Sequence, residues 1–383
     1  MTILFLSHEY DKVMGSTLSL ANMIHSLQAL DCRCIVALPG DGVARDYLES
    51  FHIRTITVRF HVNFVGRGSL LRQICSFPYR LIRDWKDHRK AVSSLAEQVK
   101  DEHIDIVHTN TAVIDLGPSL ARRLGVPHVW HLREFIDQDM GFRPFLGWQR
   151  LRKLIATADA TMSITQAIAR HYHVAPVNAE DHHHYVMFDA VRSRSSLIQE
   201  TKRKPQFVFC GQLTPHKGPD MAIRAFCQVA KKYPDYQLLL MGTAISSEYE
   251  KSLHDIVPAT LSDRVVFLGY VRQPDEILSQ ATALLMCSRN EAQGRVTVEA
   301  MLQRCPVIGF NAGGTKEIIS ECETGWLFME ETELVQAMQD VIDHPTKADR
   351  IRSQAHTFAC EHFLEESYGE RLINIYKQLC QHV

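Results

Sequence analysis

Short apolar runs alternate with stretches of helical periodicity along most of the chain. The first apolar run, 3–6, precedes a segment, 16–30, in which leucine, isoleucine and methionine recur at helical spacing. Further apolar runs lie at 34–38, 53–58, 104–108 and 128–131, most of them followed by a helical pattern. Strands that alternate with helices in this way are typical of parallel β-α-β units, whose ligands bind at the carboxyl ends of the strands. The first half of the chain is therefore predicted to form an α/β domain.

The same alternation restarts after a polar and basic stretch at 189–205, which is typical of an interdomain linker. The later apolar runs are 207–210, 236–241, 265–268, 282–287 and 306–310, and the helical patterns are 217–231, 274–280, 296–303 and 315–320. From 331 onward the pattern is helical. We therefore predict two domains, 1–188 and 206–362, followed by a C-terminal helix, 363–383.

Composition narrows the class of protein. With 383 residues, of which 45% are hydrophobic and 22% charged, the chain is a globular protein large enough for two cores. Its formal net charge of −2 gives no general attraction to nucleic acid, so any polyanion site must be local. The ten cysteines form no C-x-x-C pair and lie mostly in apolar runs, which favours buried thiols in a cytoplasmic protein. We expect neither a signal peptide nor a membrane-spanning helix, because the N-terminus has no basic leader and no long apolar stretch occurs.

The region 59–90 is the strongly basic stretch of the chain, with eight lysines and arginines against two aspartates. Phenylalanine, tyrosine and tryptophan are interleaved with these charges. A basic amphipathic helix of this kind can lie peripherally on an anionic membrane or bind an anionic lipid acceptor. A solvated helix packed on its own domain explains the same pattern, and the sequence leaves both interpretations open.

A histidine run, 182–184, follows Asp181. Three consecutive imidazoles cannot easily face one metal ion from a helix or strand, so a loop or the start of a strand is favoured over a ligand set. The other histidines lack the spacing of a metal motif. No metal site is predicted.

Two glutamates dominate the stretch 288–319. Glu291 and Glu299 are eight residues apart. Asn290 and Gly294 suit a loop that enters a helix at about Arg295, which places Glu291 in the loop and Glu299 one turn inside the helix. A carboxylate can accept two hydroxyl protons, so Glu299 is a candidate partner for a ribose diol and Glu291 for sugar hydroxyls. Solvated surface glutamates are the plainer alternative.

Glycine-containing loops flank these glutamates. The segment G-Q-L-T-P-H-K-G begins at Gly211 directly after a strand and places Lys217 at a predicted helix start. Gly313 and Gly314 precede Thr315 at another strand end. Backbone amides, a positive helix end and a lysine together favour a phosphate site, although a plain loop with a surface lysine remains an alternative. The segments match neither a Walker loop nor a dinucleotide fingerprint.

The first half offers two further candidates. Gly15 and Ser16 begin a helix after the first strand and loop, so they could meet the same phosphates. His131 ends a strand and precedes Arg133, so it could donate to a substrate hydroxyl or a phosphate oxygen. A structural histidine is the alternative.

Taken together, these motifs resemble the retaining glycosyltransferases of family 4. The resemblance rests on E-A-Q-G-R-V-T-V-E-A-M, G-Q-L-T-P-H-K-G, A-G-G-T-K-E-I-I and the early G-S-T, and it is strongest over 207–328. It implies an α/β protein of the GT-B fold, with two Rossmann-like parallel-sheet domains facing a central cleft and a last helix that packs back on the first domain. It also implies transfer of a sugar from a nucleotide diphosphate sugar to a hydroxyl acceptor with retention, in the synthesis of a surface polysaccharide or glycolipid.

The resemblance assigns roles to the candidate residues. The catalytic residues would be His131, Lys217 and Glu291. The donor-binding residues would be Gly15, Ser16, Gly211, Gln212, Lys217, Glu291, Glu299, Gly313, Gly314 and Thr315. No metal and no cofactor are expected, since the lysine and helix ends carry the leaving-group charge. The implied partners are the nucleotide sugar and a glycan or lipid-linked acceptor, with no nucleic acid.

The chain departs from the family at two positions. Gln212 stands where the family usually has an arginine that assists the lysine, so either Arg133, Arg289 or Arg295 replaces that cation or donor binding is weaker. Gln293 stands where an aromatic residue is common. The Gln212 departure suggests a non-catalytic sugar-nucleotide-binding scaffold as an alternative function. A nucleotide-sugar epimerase of the same fold is a further alternative.

Overall fold

A computed structural model describes residues 1–66, 70–139, 141–174, 183–199 and 201–381. It divides the chain into two compact units. Unit 1 comprises Met1–Ala190 and Glu365–Val383, and unit 2 comprises Val191–Leu364. The predicted linker thus belongs to unit 2 from Val191 onward, where the Ile198 N–H donates to Gln303 Oε1 at 3.0 Å.

Unit 1 is a parallel α/β unit, as its alternating pattern predicts. Its strands are β1 (Thr2–Leu6), β2 (Arg33–Leu38), β3 (Arg54–Thr57), β4 (Phe64–Val65), β5 (Ile106–Thr109), β6 (His128–Leu132), β7 (Arg143–Pro144), β8 (Ala160–Ser163) and β9 (His183–Val186). Its first helices are α1 (Gly15–Gln28), α2 (Val43–Ser50), α3 (Leu70–Gln98), α4 (Gly117–Leu124), α5 (Ile136–Asp139), α6 (Trp148–Ile155) and α7 (Gln166–Tyr172). The main sheet has the order β3-β2-β1-β5-β6-β8-β9, and β4 pairs with β7 in an antiparallel ribbon.

Unit 2 repeats this architecture with a second parallel sheet. Its strands are β10 (Gln206–Cys210), β11 (Gln237–Met241), β12 (Val265–Gly269), β13 (Ala283–Met286), β14 (Val307–Phe310) and β15 (Trp326–Phe328), in the sheet order β12-β11-β10-β13-β14-β15. Its helices are α8 (Pro219–Val229), α9 (Ser247–Ile256), α10 (Asp275–Gln280), α11 (Arg295–Leu302), α12 (Thr315–Ile318), α13 (Glu331–Asp343) and α14 (Pro345–His362).

The last helix, α15 (Glu365–Gln381), is part of unit 1. It packs on α1 through an apolar stripe that includes Tyr368, Leu372 and Tyr376, which are fully buried in the unit 1 core. Spacings of three and four residues place this stripe on one face of the helix. The side chain of Tyr376 thereby reaches the interior of unit 1.

Each unit has its own apolar core. The core of unit 1 joins β1, β2, α1 and α15, and the core of unit 2 joins β10, β11, α8 and α13. The cysteines whose side chains the structure describes are free thiols, and Cys32, Cys34, Cys287 and Cys305 are buried. Burial raises the pKa of Cys305 to about 12, so this thiol stays protonated.

The structure also locates the basic stretch and the histidine run. The basic stretch contributes to one long helix, α3, which contains Pro78. Asp181 and His182 lie outside the described residues, and β9 starts at His183, as the prediction of a strand start for the histidine run allows. Within the described ranges, the structure has no helix that is both long and apolar enough to cross a membrane.

Candidate functional site

Three loops of unit 2 meet at one edge of its sheet. The strands β10, β13 and β14 are neighbours and run parallel, so the loops that follow them converge at their carboxyl ends. These loops contain Lys217, Glu291 and Gly314. Ligands of open parallel sheets bind at this edge. The topology therefore brings together motifs that are far apart in the sequence.

Lys217 and Glu291 form an ion pair across these loops. Lys217 Nζ donates to Glu291 Oε1, and the two side chains are 30% and 14% exposed. The pair lies in a cavity of about 150 Å³ that Gly211, Ser288 and Arg295 also line. The cavity is thus lined by two cationic side chains, Lys217 and Arg295, and by the Glu291 carboxylate. A site that binds a phosphate and a polyol requires both kinds of group.

The prediction that Lys217 starts a helix is wrong in detail. Lys217 ends a 3-10 turn, Pro215–Lys217, and α8 begins only at Pro219. Gly218 lies between them with φ 71°, a left-handed conformation that breaks the helical path. A Cβ on Gly218 would also lie 2.8 Å from the carbonyl oxygen of Cys287. Lys217 is therefore presented from a turn packed against the end of β13.

Gly313 and Gly314 support the loop that carries Glu291. A Cβ on Gly313 would lie 2.5 Å from the Glu291 carbonyl oxygen, and one on Gly314 would lie 2.4 Å from that of Ala292. The Gly314 N–H donates to the Glu291 carbonyl at 2.7 Å. These glycines are thus needed for close packing of backbone on backbone, and the donor contacts expected of them remain a prediction.

Three unpartnered hydroxyl groups belong to residues near the start of α11 or in the lining of the Lys217 cavity. The hydroxyls of Ser288, Thr297 and Thr315 are buried and have no hydrogen-bond partner among the described residues. A Cβ on Gly294 would lie 3.3 Å from Thr297 Oγ1 and 3.6 Å from Thr315 Oγ1. Buried hydroxyls are normally hydrogen-bonded, so these groups are positioned to receive a polar ligand. Sequence reasoning selected Thr315 but missed Ser288 and Thr297, although Ser288 closely follows a strand.

Glu299 lies one turn inside α11, as predicted, and contacts two arginines. Its Oε1 lies 3.4 Å from Arg295 Nη2 and 3.8 Å from Arg192 Nη2. Arg192 also donates to Asp275 at 3.2 Å. The structure therefore places Glu299 with these arginines, and sequence reasoning missed Arg192 because it lies in the predicted linker.

The surroundings of Gln212 show which cation lies near the position where the resembled family usually has an arginine. Gln212 is exposed, and the preceding Gly211 donates its N–H to the Met241 carbonyl at 2.9 Å. Of the cations suggested as replacements, Arg295 lines the cavity that contains Lys217. Arg289 instead stacks on the ring of Phe310, with its guanidinium carbon 5.9 Å from the ring centroid. Arg295 is thus the candidate replacement within unit 2.

His131 occupies the carboxyl end of β6 in unit 1. The imidazole is fully buried, and Arg133 Nη1 lies 3.4 Å from its Nδ1. Its Nε2 lies 3.8 Å from Asp189 Oδ1 and has no hydrogen-bond partner among the described residues. Burial, together with the nearby Arg133 and His108, holds the pKa of His131 well below its usual value. The ring is therefore neutral at physiological pH.

Glu134 follows on the same loop. Its carboxylate oxygens are buried without a hydrogen bond of good geometry in the described residues. Burial is the main cause that raises the pKa of Glu134 to about 7, with Thr111, Arg133 and the Ala112 backbone opposing it. Sequence reasoning did not single out this glutamate.

Gly15 and Ser16 lie at the N-terminus of α1. A Cβ on Gly15 would meet no atom within 4 Å. The next residue, Thr17, donates its N–H to Glu9 Oε2 at 3.2 Å, and its hydroxyl also donates to Glu9. A carboxylate therefore sits at this positive helix end, where a phosphate would also be stabilised. Glu9, in the loop before the helix, was not predicted.

The described residues contain no group of three or more histidine, cysteine, aspartate or glutamate side chains that could hold a metal ion. The cationic side chains that line the Lys217 cavity are Lys217 itself and Arg295. That the reaction needs no metal or cofactor remains a prediction.

Comparison with known proteins gives matches over both units. A model described as "Glycosyl transferase 4-like domain" matches residues 15–184, and one described as "Glycosyl transferases group 1" matches residues 194–358. Together they cover most of the chain.

Individual relatives are distant. The spore coat protein SA of Bacillus subtilis is 26% identical over 182 residues, which are 45% of this chain and 48% of that protein, so the match spans about half of its length. A GDP-mannose-dependent monoacylated phosphatidylinositol monomannoside mannosyltransferase of Corynebacterium glutamicum is 27% identical over 74% of this chain and 78% of its own. The crystal structure of Anabaena HepE in complex with UDP is 21% identical, with a TM-score of 0.80 over 99% of this chain and 100% of that one.

Proposed function

This chain belongs to the glycosyltransferases of the group 1 and 4-like type, which have the GT-B fold, and we propose that it moves a sugar from a nucleotide diphosphate sugar to a hydroxyl group with retention of configuration. The observation that carries the proposal is the Lys217–Glu291 pair in a cavity lined by the ends of the neighbouring strands β10 and β13 and by the loops that follow them. The pair offers a cation to a diphosphate and a carboxylate to sugar hydroxyls.

The nucleotide sugar would bind unit 2 by displacing the ion pair between Lys217 and Glu291. A diphosphate oxygen takes the place of Glu291 at Lys217, and the released carboxylate accepts from hydroxyls of the transferred sugar. Glu299 accepts from the ribose, with Arg192 and Arg295 holding its position. The hydroxyls of Ser288, Thr297 and Thr315 provide further partners for the phosphates or the sugar.

We propose the following reaction for a donor bound in this way. The bond between the anomeric carbon and the diphosphate oxygen breaks, and the acceptor oxygen bonds to the same face of that carbon. The acceptor proton passes to the departing diphosphate oxygen, so no protein nucleophile is required. Lys217 stabilises the negative charge that grows on the diphosphate, which is the contribution expected of a fixed cation in a partly buried site. Within unit 1, Gly15 and Ser16 at the start of α1 offer backbone amides that suit a phosphate.

A cavity in unit 1 suits the acceptor. It measures about 270 Å³ and lies beside α3, with Trp85, Asp84, His88, Asp115 and Asn63 in its lining. His88 Nε2 lies 3.0 Å from Ser119 Oγ, and the ring is also within 3.6 Å of Asp115. An aromatic surface beside carboxylate and amide groups is suited to a sugar ring with its hydroxyls. An Asp115→Asn substitution should raise the KM for the acceptor and leave donor binding unchanged.

The exposed face of α3 suits an acceptor carried on a lipid. Tyr79, Ile82 and Trp85 are 70%, 56% and 57% exposed, beside Arg83 and Lys86. Exposed apolar side chains among cations favour an anionic membrane surface. Sedimentation with anionic vesicles should retain the protein at low salt and release it at high salt. Salt-independent binding, or none, would contradict this part of the proposal.

Donor turnover tests the function itself. Nucleoside diphosphate release is measured with UDP-sugars and GDP-sugars, the two nucleotides named for the similar proteins, with and without candidate acceptors. Acceptor-dependent release supports a transferase. Release of a free epimerised sugar without an acceptor would indicate an epimerase, and binding without turnover a scaffold. If Lys217→Ala and Glu291→Ala both left turnover intact, the catalytic assignment would be wrong.

A further inference from the structure

A chain of buried hydrogen bonds connects the C-terminal helix with His131. The Tyr376 hydroxyl on α15 lies 2.6 Å from His108 Nδ1, and His108 Nε2 lies 3.3 Å from His131 Nδ1. All three side chains are fully buried. Strands β5 and β6 are neighbours and His108 pairs with Val129, so His131 lies two residues further along β6 on the same face of the sheet. A tyrosine near the end of the sequence thus contacts the candidate catalytic histidine through one intervening ring.

Arg133 fixes the direction of this chain. A guanidinium group can only donate hydrogen bonds, so His131 Nδ1, 3.4 Å from Arg133 Nη1, must be an acceptor. The proton of the neutral ring is then on Nε2. His108 must donate from its own Nε2 to the same acceptor, and its Nδ1 must accept from the Tyr376 hydroxyl. Both contacts with His131 Nδ1 are longer than an ordinary N–H hydrogen bond, as expected when two donors share one lone pair.

We propose that Tyr376 is a positioning residue, which acts through His108 and together with Arg133 to hold His131 in the Nε2–H tautomer. The proposal deepens the proposed function, on which it rests for the identity of the substrate. His131 then offers an N–H donor to a hydroxyl or phosphate oxygen of the substrate. The opposite tautomer would offer a lone pair instead, and that ring could accept a hydroxyl proton as a base.

The surroundings of the two rings favour the neutral forms that this arrangement needs. Arg133 is the nearby cation, and its other contacts are Asn110 at 2.8 Å and the carboxylate of Asp189. Burial is the main cause that holds the pKa of His108 and of His131 well below the usual value. Asp189 Oδ1 lies 3.8 Å from His131 Nε2, on the side where the proposed proton is located.

Nitrogen-15 NMR of the whole protein with labelled histidine tests the tautomer directly, without a substrate. Long-range proton–nitrogen correlations distinguish a protonated ring nitrogen from an unprotonated one, and a His131→Asn variant identifies the signals of His131 among the twenty histidines. We expect a protonated Nε2 and an unprotonated Nδ1 for both His131 and His108. A His131 ring protonated at Nδ1 would overturn the proposal, whatever the enzyme's activity.

A pair of tyrosine variants tests the role of α15. Tyr376→Phe removes the hydroxyl that donates to His108. Tyr368→Phe is the matched control, because Tyr368 is also fully buried on α15 and its hydroxyl contacts Met23 Sδ at 3.5 Å. We expect a mixture of tautomers at His108 in Tyr376→Phe and, because the 3.4 Å contact with Arg133 is long, a minor Nδ1–H form of His131. Tyr368→Phe should keep the wild-type pattern. An unchanged pattern in Tyr376→Phe would overturn the proposal.

Kinetics with the donor and acceptor give a second readout. Tyr376→Phe should lower kcat about tenfold, the factor that corresponds to one hydrogen bond of ordinary net strength, with the donor KM unchanged. Tyr368→Phe should keep the wild-type kcat. An equal loss of kcat in Tyr376→Phe and Tyr368→Phe would show that Tyr376 acts only through the packing of α15, and would contradict the proposal. If no donor is turned over, the proposed function fails while the NMR result still decides the tautomer.

Discussion

Replacing Glu291 with glutamine should strengthen nucleotide binding and weaken catalysis. In this structure, the Glu291 carboxylate pairs with Lys217, the group proposed to bind the diphosphate. UDP must therefore displace Glu291 before it can contact the lysine. Glu291→Gln preserves the shape of the side chain but removes its charge, so Lys217 becomes available and repulsion of the diphosphate decreases. The sugar loses a charged acceptor at the same time.

The burial of the pair sets the size of the effect. The side chains are 30% and 14% exposed, so solvent still screens the pair and its net strength is about 1 kcal/mol. The Kd for UDP should therefore fall roughly fivefold in Glu291→Gln. Lys217→Met should raise it by roughly 10- to 100-fold, since a charge-assisted hydrogen bond contributes about 1.5–3 kcal/mol. Transfer by Glu291→Gln should nevertheless be slower than in the wild type by about tenfold or more.

Isothermal titration calorimetry of UDP against each variant measures these changes. Glu323→Gln provides the control for a change of net charge, because Glu323 is exposed in the same unit. It should leave the Kd close to the wild-type value. Weaker UDP binding in Glu291→Gln than in the wild type would refute the reasoning, because the carboxylate would then support the nucleotide and not compete with it.

Three further changes test separate parts of the structure. Gln212→Arg should lower the Kd for UDP by up to about tenfold, because it restores a charge-assisted contact beside Lys217; unchanged affinity would show that this position lies beyond reach of the diphosphate. Gly314→Ala should destabilise the protein by about 1–3 kcal/mol and weaken UDP binding, because its Cβ would lie 2.4 Å from the Ala292 carbonyl, and an unchanged melting temperature would contradict that contact. The wild type should lose stability as pH rises and the buried Glu134 carboxyl ionises, and Glu134→Gln should remove this loss. The pKa of the Glu134 carboxyl is raised to about 7. Its contribution to the free energy of unfolding is therefore fully present below the pKa that this carboxyl has in the unfolded chain, and is lost as pH rises through 7. The free energy of unfolding in urea, variant minus wild type, should be up to roughly 3 kcal/mol greater at pH 8 than at pH 4. A constant difference across that range would contradict the assignment.

The sequence predicted most of the architecture because the buried strands are strongly apolar. The first run, 3–6, corresponds to β1 at Thr2–Leu6, and the helix predicted from about Arg295 is α11. Helix α9 was missed because it is polar on most of its surface and buries Leu253 alone among its described residues. Its hydrophobic pattern is therefore too sparse to be recognised.

The site was predictable in its residue types but not in its contacts. Strand order cannot be obtained from periodicity, yet it is strand order that brings Lys217 and Glu291 together across 74 residues. The packing of Gly314 against Ala292 was not predictable for the same reason, because that loop is distant in the sequence. Tyr376 lies in the predicted C-terminal helix, 363–383, and only the packing of α15 shows that its hydroxyl contacts His108.

The central claim is that Lys217 provides the positive charge for the departing diphosphate without a metal. The rate of nucleoside diphosphate release in the presence of EDTA tests it most directly. The rate is measured for the wild type and for Lys217→Ala with whichever UDP-sugar or GDP-sugar the wild type turns over. The wild type should keep its full rate in EDTA, and Lys217→Ala should lose about 100-fold or more in kcat. A wild-type rate abolished by EDTA, or a Lys217→Ala rate equal to that of the wild type, would contradict the account.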